Sequence, residues 1–491
     1  MGTKNTLEVC DAVQDAGMTP ATGGPLPIAV TLSPAAIALN RFGLGARPDD
    51  AVPRDPKAWL RAQLDAYEPH PQAVAALPST ATVAVGYAEL RRQANMTNDT
   101  EMRQATQATM RRINRAQYRS AVNARIANAL VTDTPFPERL VHFWANHFAI
   151  SADKVIVVPF VGSFEAEAIR PHIMGRFEEL LFAVGHHAGM LVYLDQANSV
   201  GPNSPRAERA RARRAPRVPG LNENLAREIM ELHTLGVRSV YTQTDVTEFA
   251  RALTGWSIGA FGAPGPEPDT APGVFVFRAS THEPGVRTIM GRRYDQSGEE
   301  QAHVVMRDLV RVPATSMHIA TKLARHFAGD VPPPTLVARL AAAFTEHNGH
   351  LPSLYRVLID SPEAWVPQLV KFKTPWDWLI SALRGIGQKT LDRLQALEMM
   401  VNLGQAVWEP GSPAGWDDIA ASWAAPDALV RRVGVAHRLA LLADDRYDAR
   451  ELAAKLLVSP TSHNTQTTVD GADSQSTGRA LLLVSPEFHR R

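Results

Sequence analysis

Two carboxylates, an amide and a guanidinium are spaced along a helix predicted over residues 222–235 so that they can share one face. At about 100° per residue, Asn224, Glu228 and Glu231 fall within about 60° of one another. Arg227 lies alongside them. Carboxylates gathered in this way are suited to hold a divalent metal ion that activates water or oxygen. The spacing is equally typical of a solvated ion-pair face, since Arg227 has a glutamate four residues away on each side.

A metal on this face needs a histidine from another element, because His233 on the same helix points roughly 180° away from Asn224. Two histidines are candidates: His142, on a helix predicted over residues 138–150, and His282, in the loop at the tip of a predicted hairpin. Neutral imidazole is a common metal ligand. An ordinary alternative stays open for each of them, a hydrogen-bonded helix residue for His142 and a solvated loop residue for His282.

The sequence thus predicts one divalent metal ion as the cofactor of a polar cleft. Such a cleft is typical of a hydrolase-like or an oxygen-activating enzyme. The predicted metal ligands are Glu228, Glu231, His142 and His282. The predicted catalytic residues are Glu228, Glu231, Asn224, Arg227 and His142.

An arginine-rich segment over residues 206–217 directly precedes this helix and holds six arginines and one acid. Arginine clusters bind phosphate or carboxylate through forked hydrogen bonds, and the start of a helix attracts anions as well. Arg211, Arg213 and Arg214 are therefore predicted to contact an anion, which is either an acidic ligand or an acidic partner. A solvated, mobile loop is the alternative.

The elements that must position these side chains are almost all helices. Apolar residues recur at helical spacing along most of the chain, and only residues 274–277 and 287–290 are typical of strands. The sequence predicts a mostly α, multi-helix globular protein in one lobe or two, with a single small β-hairpin over 274–290. We expect a disordered leader over residues 1–32 and a helical domain over residues 33–460. A mobile polar segment is expected over residues 461–477, and a C-terminal apolar segment of the domain over residues 478–491.

The composition excludes several classes of protein. The chain of 491 residues has a net charge of +1, with 51 basic and 50 acidic side chains, which argues against a dedicated nucleic-acid-binding protein. A single cysteine, Cys10, excludes an intramolecular disulfide and a cysteine-based zinc site. No secretory signal and no apolar run of roughly 18 to 20 residues is found. The chain is therefore expected to be cytoplasmic on its own, and periplasmic only if it is exported with a partner.

Short, distinctive motifs are spread along nearly the whole chain. Among them are His142-Phe143-Trp144-Ala145-Asn146-His147-Phe148, Asn222-Glu223-Asn224-Leu225-Ala226-Arg227-Glu228, Glu231-Leu232-His233-Thr234-Leu235-Gly236-Val237, Ala250-Arg251-Ala252-Leu253-Thr254-Gly255-Trp256, Lys322-Leu323-Ala324-Arg325-His326-Phe327, Lys373-Thr374-Pro375 and Leu403-Gly404-Gln405. Together they resemble a large bacterial family called domain of unknown function 1800, from about Ser33 to Arg491.

The resemblance implies no established activity. It does imply a neighbour, because members of this family are often encoded beside a protein called domain of unknown function 1501, which resembles the sulfatase and alkaline-phosphatase group. The candidate residues and the family resemblance together lead to two hypotheses. The protein is a metal-dependent enzyme with a carboxylate and histidine cleft, or it is a non-catalytic partner or maturation factor for that sulfatase-like neighbour.

Overall fold

The structure is a computed structural model that describes residues 31–96, 99–216, 220–260, 271–391, 394–443 and 447–491. Of the described residues 61% are helical, and their strands form two small antiparallel sheets. The mostly α fold predicted from the sequence is confirmed. The leader expected over residues 1–32 lies outside the described residues except for its last two positions.

The helices of the first half of the chain include one of 32 residues. Their bounds are α1 Pro34–Ala36, α2 Pro56–Asp65, α3 Gln72–Ala75, α4 Thr80–Met96, α5 Thr100–Val131, α6 Pro135–His147, α7 Val161–Phe164, α8 Phe177–His186, α9 Ala188–Tyr193, α10 Pro205–Ala212, α11 Asn224–Glu228 and α12 Gln243–Leu253.

The second half continues with α13 Glu300–Arg311, α14 Pro313–Ala328, α15 Pro334–Glu346, α16 Leu351–Asp360, α17 Pro375–Gly385, α18 Ala396–Asn402, α19 Pro426–Ala440, α20 Ala449–Leu457, α21 His463–Asp470 and α22 Gln475–Leu483. The described residues also contain π-helical segments, at Ile37–Phe42, Glu165–Ile169 and Ile229–Thr234. Short 3-10 segments lie at Val158–Phe160, Arg170–His172, Gln196–Asn198, Ala279–Thr281, Pro362–Trp365 and Ala420–Ser422.

The β-structure differs from the predicted hairpin in its pairing. The described strands are β1 Trp256–Ile258, β2 Phe275–Phe277, β3 Arg287–Ile289 and β4 Arg292–Tyr294. β1 pairs with β2 and β3 pairs with β4, both antiparallel. The two strands predicted within 274–290 therefore form, but the prediction that they pair with each other is wrong. Met290 and Gly291 both have positive φ, 49° and 75°, which is typical of a tight two-residue hairpin turn, so β3 pairs with the strand that follows it at once.

The buried apolar side chains form one continuous cluster from Ile37 to Phe488. The described residues thus share a single core. α6 is buried at every position except Asn146, and a hydrogen bond of 2.7 Å from Trp144 Nε1 to the hydroxyl of Tyr355 joins it to α16. A helix that is buried on all sides needs partners inside the protein for each of its polar side chains.

The segment over residues 461–477, which the sequence predicts to be polar and mobile, contains α21 and the beginning of α22. Ser462 and Ser474 cap these helices, each accepting a hydrogen bond from a backbone N–H three residues later. These two serines act as helix caps, which is a common use of this residue type. The mobility of the segment stays a prediction.

By length and composition alone, the stretch Gln72–Met96 resembles a membrane span, although the sequence analysis expected no such run. The stretch is broken between α3 and α4, and α4 carries Glu89, Arg91 and Arg92. A single stretch of this kind is weak evidence for a membrane protein.

Candidate functional site

A cavity of about 280 Å³ lies between α5, α6, α14, α17 and the loop over residues 405–419. This volume is near the lower limit for small-molecule sites, about 300 Å³. Indole rings and charged side chains share its wall. One predicted site residue, His142, lines this cavity, and we therefore describe it as the candidate site.

His142 is held between two partners by its position on buried α6. The indole Nε1 of Trp376 donates a hydrogen bond of 3.1 Å to His142 Nδ1, and Nε2 lies 3.2 Å from Glu138 Oε1. Burial, followed by the charge of Arg125, lowers the pKa of His142 below its ordinary value. The imidazole is therefore neutral at pH 7, and both of its nitrogens already have neighbours within the protein.

Arg125 of α5 adds a flat cationic surface to the cavity. Its guanidinium lies 4.3 Å from the ring centroid of Trp376 and 5.3 Å from that of Trp408. Its Nε atom is 2.9 Å from Glu165 Oε2. The charge of Arg125 is therefore already compensated inside the protein.

Asp377, in the first turn of α17, lies between two arginines. Its Oδ1 is 2.9 Å from Arg139 Nη1, and its Oδ2 is 3.1 Å from Arg491 Nε. Burial alone would raise the pKa of Asp377, but the two guanidinium groups hold it well below its usual range. Arg139 and Asp377 both line the cavity and neutralise each other there.

α14 presents three polar residues to the cavity, Lys322, Arg325 and His326. They are spaced three and four residues apart, so they lie on one face of the helix. His326 Nδ1 donates to Asp418 Oδ2 at 2.7 Å. Burial lowers the pKa of His326 to about 4 in spite of this carboxylate. Arg325 donates to the backbone oxygen of Asp330 at 3.3 Å.

Lys322 differs from its neighbours, because its ammonium group has no hydrogen bond and no ion pair to any described residue. The residue is half-buried. Its charge reaches three histidines, His147, His233 and His318, whose pKa values are lowered first by burial and then by Lys322. Burial lowers the pKa of Lys322 itself to about 8, and Asp418 opposes this shift from beyond ion-pair distance.

The loop that completes the wall is fastened to α6 by Asn146. Its Nδ2 donates to the backbone oxygen of Trp416 at 2.9 Å, and its Oδ1 accepts from the Trp416 N–H at 2.8 Å. Gly415 has a φ of +80°, and a Cβ there would lie 2.3 Å from the backbone oxygen of Asn146. Glycine is therefore required for this close approach. The Nε1 of Trp416 is buried without a hydrogen-bond partner in the described part of the chain.

The carboxylate face predicted on the helix after residue 222 lies outside the lining of this cavity. The backbone is α-helical only over α11 and then widens into the π-helix Ile229–Thr234, in which Leu235 N–H bonds to the oxygen of Met230 at 2.9 Å. A π-helix has more residues per turn than an α-helix. The 100° spacing assumed for Glu228 and Glu231 therefore does not hold beyond Glu228.

Arg227 pairs with Glu223 and not with the carboxylates of the predicted face. Its Nη2 lies 3.1 Å from Glu223 Oε2 and donates to Gln243 Oε1 at 2.9 Å. Asn224 is exposed. This part of the helix matches the solvated ion-pair alternative that the sequence left open.

Glu228, in contrast, is half-buried and makes no hydrogen bond or ion pair within the described residues. Burial and the neighbouring Glu231 raise the pKa of Glu228 to about 7, against a smaller opposing effect of Arg227. The charges of the two carboxylates thus repel each other, and Arg227 does not form an ion pair with either of them.

The four predicted metal ligands do not form one group. His142 has the partners described above, and His282 Nδ1 lies 2.7 Å from the backbone oxygen of Thr254. Among the described histidines, cysteines and acids, one group of three has its donor atoms all within 4.8 Å of one another. It consists of other residues, His186, Glu299 and His303.

The arginine segment forms α10 and the turn after it, with its end in the undescribed residues 217–219. Arg211, Arg213 and Arg214 are exposed and make no ion pair with a described residue. A contact with an anion at the protein surface requires this exposure. The contact itself stays a prediction.

Sequence reasoning missed Lys322, Arg325 and His326 as site residues. A signal was present in the motif over residues 322–327, whose polar positions share one helix face while the residues between them are apolar. Asp418 carries no comparable signal, since it approaches His326 from a loop more than ninety residues away.

Residues 37–490 match the sequence model of a family described as "Protein of unknown function (DUF1800)". No curated protein and no solved structure matches the chain. The resemblance carried by the motifs is confirmed over nearly the full length. The chain belongs to the DUF1800 family of proteins of unknown function.

Proposed function

We propose that this protein binds a small organic anion in the cavity between α5, α6, α14 and α17, and that Lys322 holds the anionic group. The observation that carries the proposal is that Lys322 lines the cavity and that its ammonium group has no partner among the described residues. A half-buried charge without a partner costs free energy. A bound carboxylate, sulfonate or phosphate would compensate it.

The other charges of the wall support this assignment. Arg125 and Arg139 each have an acidic partner, at 2.9 Å in both cases. Lys322 and Arg325 have no acidic partner within the described residues and lie one turn apart on α14. The uncompensated positive charge is therefore concentrated at one helix face, where a single anionic group can contact it.

The remaining wall suits the organic part of such a ligand. Trp376, Trp408 and Trp416 line the cavity, and their rings offer flat apolar surfaces for an aromatic or aliphatic group. Several of the motifs that carry the family resemblance also meet here, because they supply His142, Lys322, Thr374 and Gln405. The cavity is where these distant parts of the sequence converge.

Lys322 also gives the site a means of catalysis. An amine with a pKa of about 8 is unprotonated in about a tenth of molecules at pH 7, and it can then accept a proton or attack a carbonyl carbon. We propose that an enzyme activity, if the protein has one, takes place in this cavity. The metal-dependent, hydrolase-like or oxygen-activating reaction predicted from the sequence stays a prediction.

Calorimetric titration with a matched ligand series tests the proposal. Benzoate, benzenesulfonate and phenyl phosphate carry an anion on the same ring, benzamide is neutral, and benzylamine is cationic. We expect the anions to bind more tightly than the other two, and Lys322→Met to weaken the anions by tenfold or more while leaving benzamide unchanged. Lys389→Met, at an exposed position, is the matched control. Anions that bind no better than benzamide, or that are insensitive to Lys322→Met, would contradict the proposal.

A second proposal is the role of partner or maturation factor for the sulfatase-like neighbour of the family, domain of unknown function 1501. The exposed, unpaired arginines Arg211, Arg213 and Arg214 support it. Co-expression followed by purification of one protein through a tag tests it. We expect the neighbour to be retained by the parent and released by the triple alanine variant.

A further inference from the structure

Two histidines and a glutamate meet where the end of α8 contacts the start of α13. His186 is the last residue of α8, Glu299 immediately precedes α13, and His303 follows in its first turn. His186 Nε2 lies 3.0 Å from His303 Nε2, and Glu299 Oε1 lies 3.5 Å from the same atom. The three donor atoms are all within 4.8 Å of one another.

These separations match those of ligands on one metal ion. Imidazole nitrogens bind zinc at about 2.0–2.1 Å, so two ligands at 90° to 110° are about 2.8–3.4 Å apart. A hydrogen bond between the two imidazoles would account for the first distance alone. It would not involve the Glu299 carboxylate, which lies at i,i+4 spacing beside the same imidazole and has no other side-chain partner in the described residues.

The surroundings of His303 orient it as a ligand. Its Nδ1 lies 3.4 Å from Glu300 Oε2, and Glu300 is in turn held by Arg307, whose Nη1 donates to Oε1 at 2.6 Å. A carboxylate at the far nitrogen of an imidazole is the usual outer partner of a metal-binding histidine, because it fixes the tautomer and the ring orientation. Nε2 is then the nitrogen left for the metal.

His186 is enclosed by aromatic rings. Its ring centroid lies 4.5 Å from that of Trp256 and 4.2 Å from that of Phe275. β1 and β2, which carry the two aromatic residues, thus cover one side of the cluster.

We propose that His186, Glu299 and His303 bind one divalent transition-metal ion of the zinc class. Two imidazoles and a carboxylate suit such ions, whereas magnesium and calcium prefer oxygen ligands alone. Three protein ligands leave a coordination position for water. None of the three residues lines the cavity assigned to Lys322, so this site is separate from the proposed anion site.

Calorimetric titration of the metal-free protein with Zn²⁺ tests the assignment, with Co²⁺ as a spectroscopic probe and Mg²⁺ and Ca²⁺ as the unsuited ions. We expect one Zn²⁺ per chain, a visible ligand-field spectrum with Co²⁺, and no binding of Mg²⁺ or Ca²⁺. His303→Ala and Glu299→Gln should each weaken Zn²⁺ binding by tenfold or more. His437→Ala, on an exposed face of α19, should leave it unchanged.

Melting temperatures of the metal-free proteins show whether each variant is folded. If His303→Ala fails to fold, Glu299→Gln and the Co²⁺ spectrum of the parent still test the proposed metal site. Glu299→Gln is expected to fold, because the side chain of Glu299 is partly exposed and glutamine has the same size. No Zn²⁺ binding by the parent, or binding that both substitutions leave intact, would overturn the proposal.

Discussion

His326 donates from Nδ1 to Oδ2 of Asp418 at 2.7 Å, and this acid therefore does not pair with Lys322 one turn earlier on α14. The other oxygen of Asp418 lies 3.1 Å from the ammonium of Lys371. Both oxygens are thus engaged by groups other than Lys322. The fold supplies an acid close to the positive face of α14 but uses it elsewhere, which leaves Lys322 without an acidic partner among the described residues.

Replacement of Lys322 by methionine should stabilise the protein. Because the pKa of Lys322 is lowered to about 8 in the folded state from about 10.4 in the unfolded chain, the fold disfavours the charged form, and the full cost is present below pH 8. We expect Lys322→Met to gain about 1–3 kcal/mol in urea unfolding at pH 7, after allowance for solvent screening. Lys389→Met should change stability by less than about 0.5 kcal/mol. A loss of stability in Lys322→Met would show that the ammonium group is compensated.

Replacement of Glu228 by glutamine should stabilise the protein only at higher pH. The pKa of Glu228 is raised to about 7 from about 4.3 in the unfolded chain, so its cost develops between these values and persists above pH 7. We expect Glu228→Gln to match the parent near pH 4 and to exceed it by about 1–2 kcal/mol at pH 8.

Glu223→Gln is the matched control for this experiment. The pKa of Glu223 is lowered by Thr247, Gln243 and Arg227, which donate to it or pair with it. Its stabilising contribution is therefore present at pH 8 and is lost as the pH falls. The control should be destabilised at pH 8 by up to about 1 kcal/mol, and equal behaviour of the two variants would contradict the assigned environments.

Replacement of Asp418 by asparagine should be strongly destabilising. The substitution removes the charge partner of buried Lys371, which keeps only Asp330 at 3.0 Å, and weakens the hydrogen bond to His326. We expect a loss of about 2–4 kcal/mol in urea unfolding. Asp417→Asn, whose carboxylate accepts from the exposed Ser422 hydroxyl, should cost less than about 1 kcal/mol. Similar small losses in both would mean that the Asp418 network contributes little to stability.

Alanine at Arg211, Arg213 and Arg214 together should leave the fold intact, because all three side chains are exposed and unpaired in the described chain. Each exposed substitution changes stability by no more than about 0.5 kcal/mol. Retention on a polyglutamate matrix should weaken and lose much of its dependence on salt. If the triple variant is retained as strongly as the parent, the arginine segment is solvated and does not contact an anion.

The helical content could be predicted because the spacing of apolar side chains along a helix and the residues that cap its ends are local properties of the sequence. The strands show the limit of this reasoning, since β2 pairs with β1, which precedes it by a long connection. The π-helix Ile229–Thr234 shows another limit. No local pattern announces the wider turn, and the angles calculated for Glu231 from an ideal helix therefore failed.

The candidate site could be predicted only in part. His142, which the sequence predicts as a site residue, lines the cavity. Lys322 shares one helix face with Arg325 and His326, which is a signal in the sequence, but a solvated helix face shows the same spacing. Its importance comes from the absence of an acid near its ammonium group, which depends on how Asp418 is used by His326 and Lys371.

The pH dependence of anion binding tests the central claim most directly. If the protonated ammonium of Lys322 holds the anion, the affinity of the parent for benzoate should be constant below about pH 7. Above the Lys322 pKa of about 8 it should fall by about tenfold per pH unit. Lys322→Arg, which stays charged, should retain its affinity to about pH 10, and Lys322→Met should bind weakly at every pH. A parent affinity that is flat from pH 6 to pH 10, or a Lys322→Met variant that follows the parent curve, would contradict the claim.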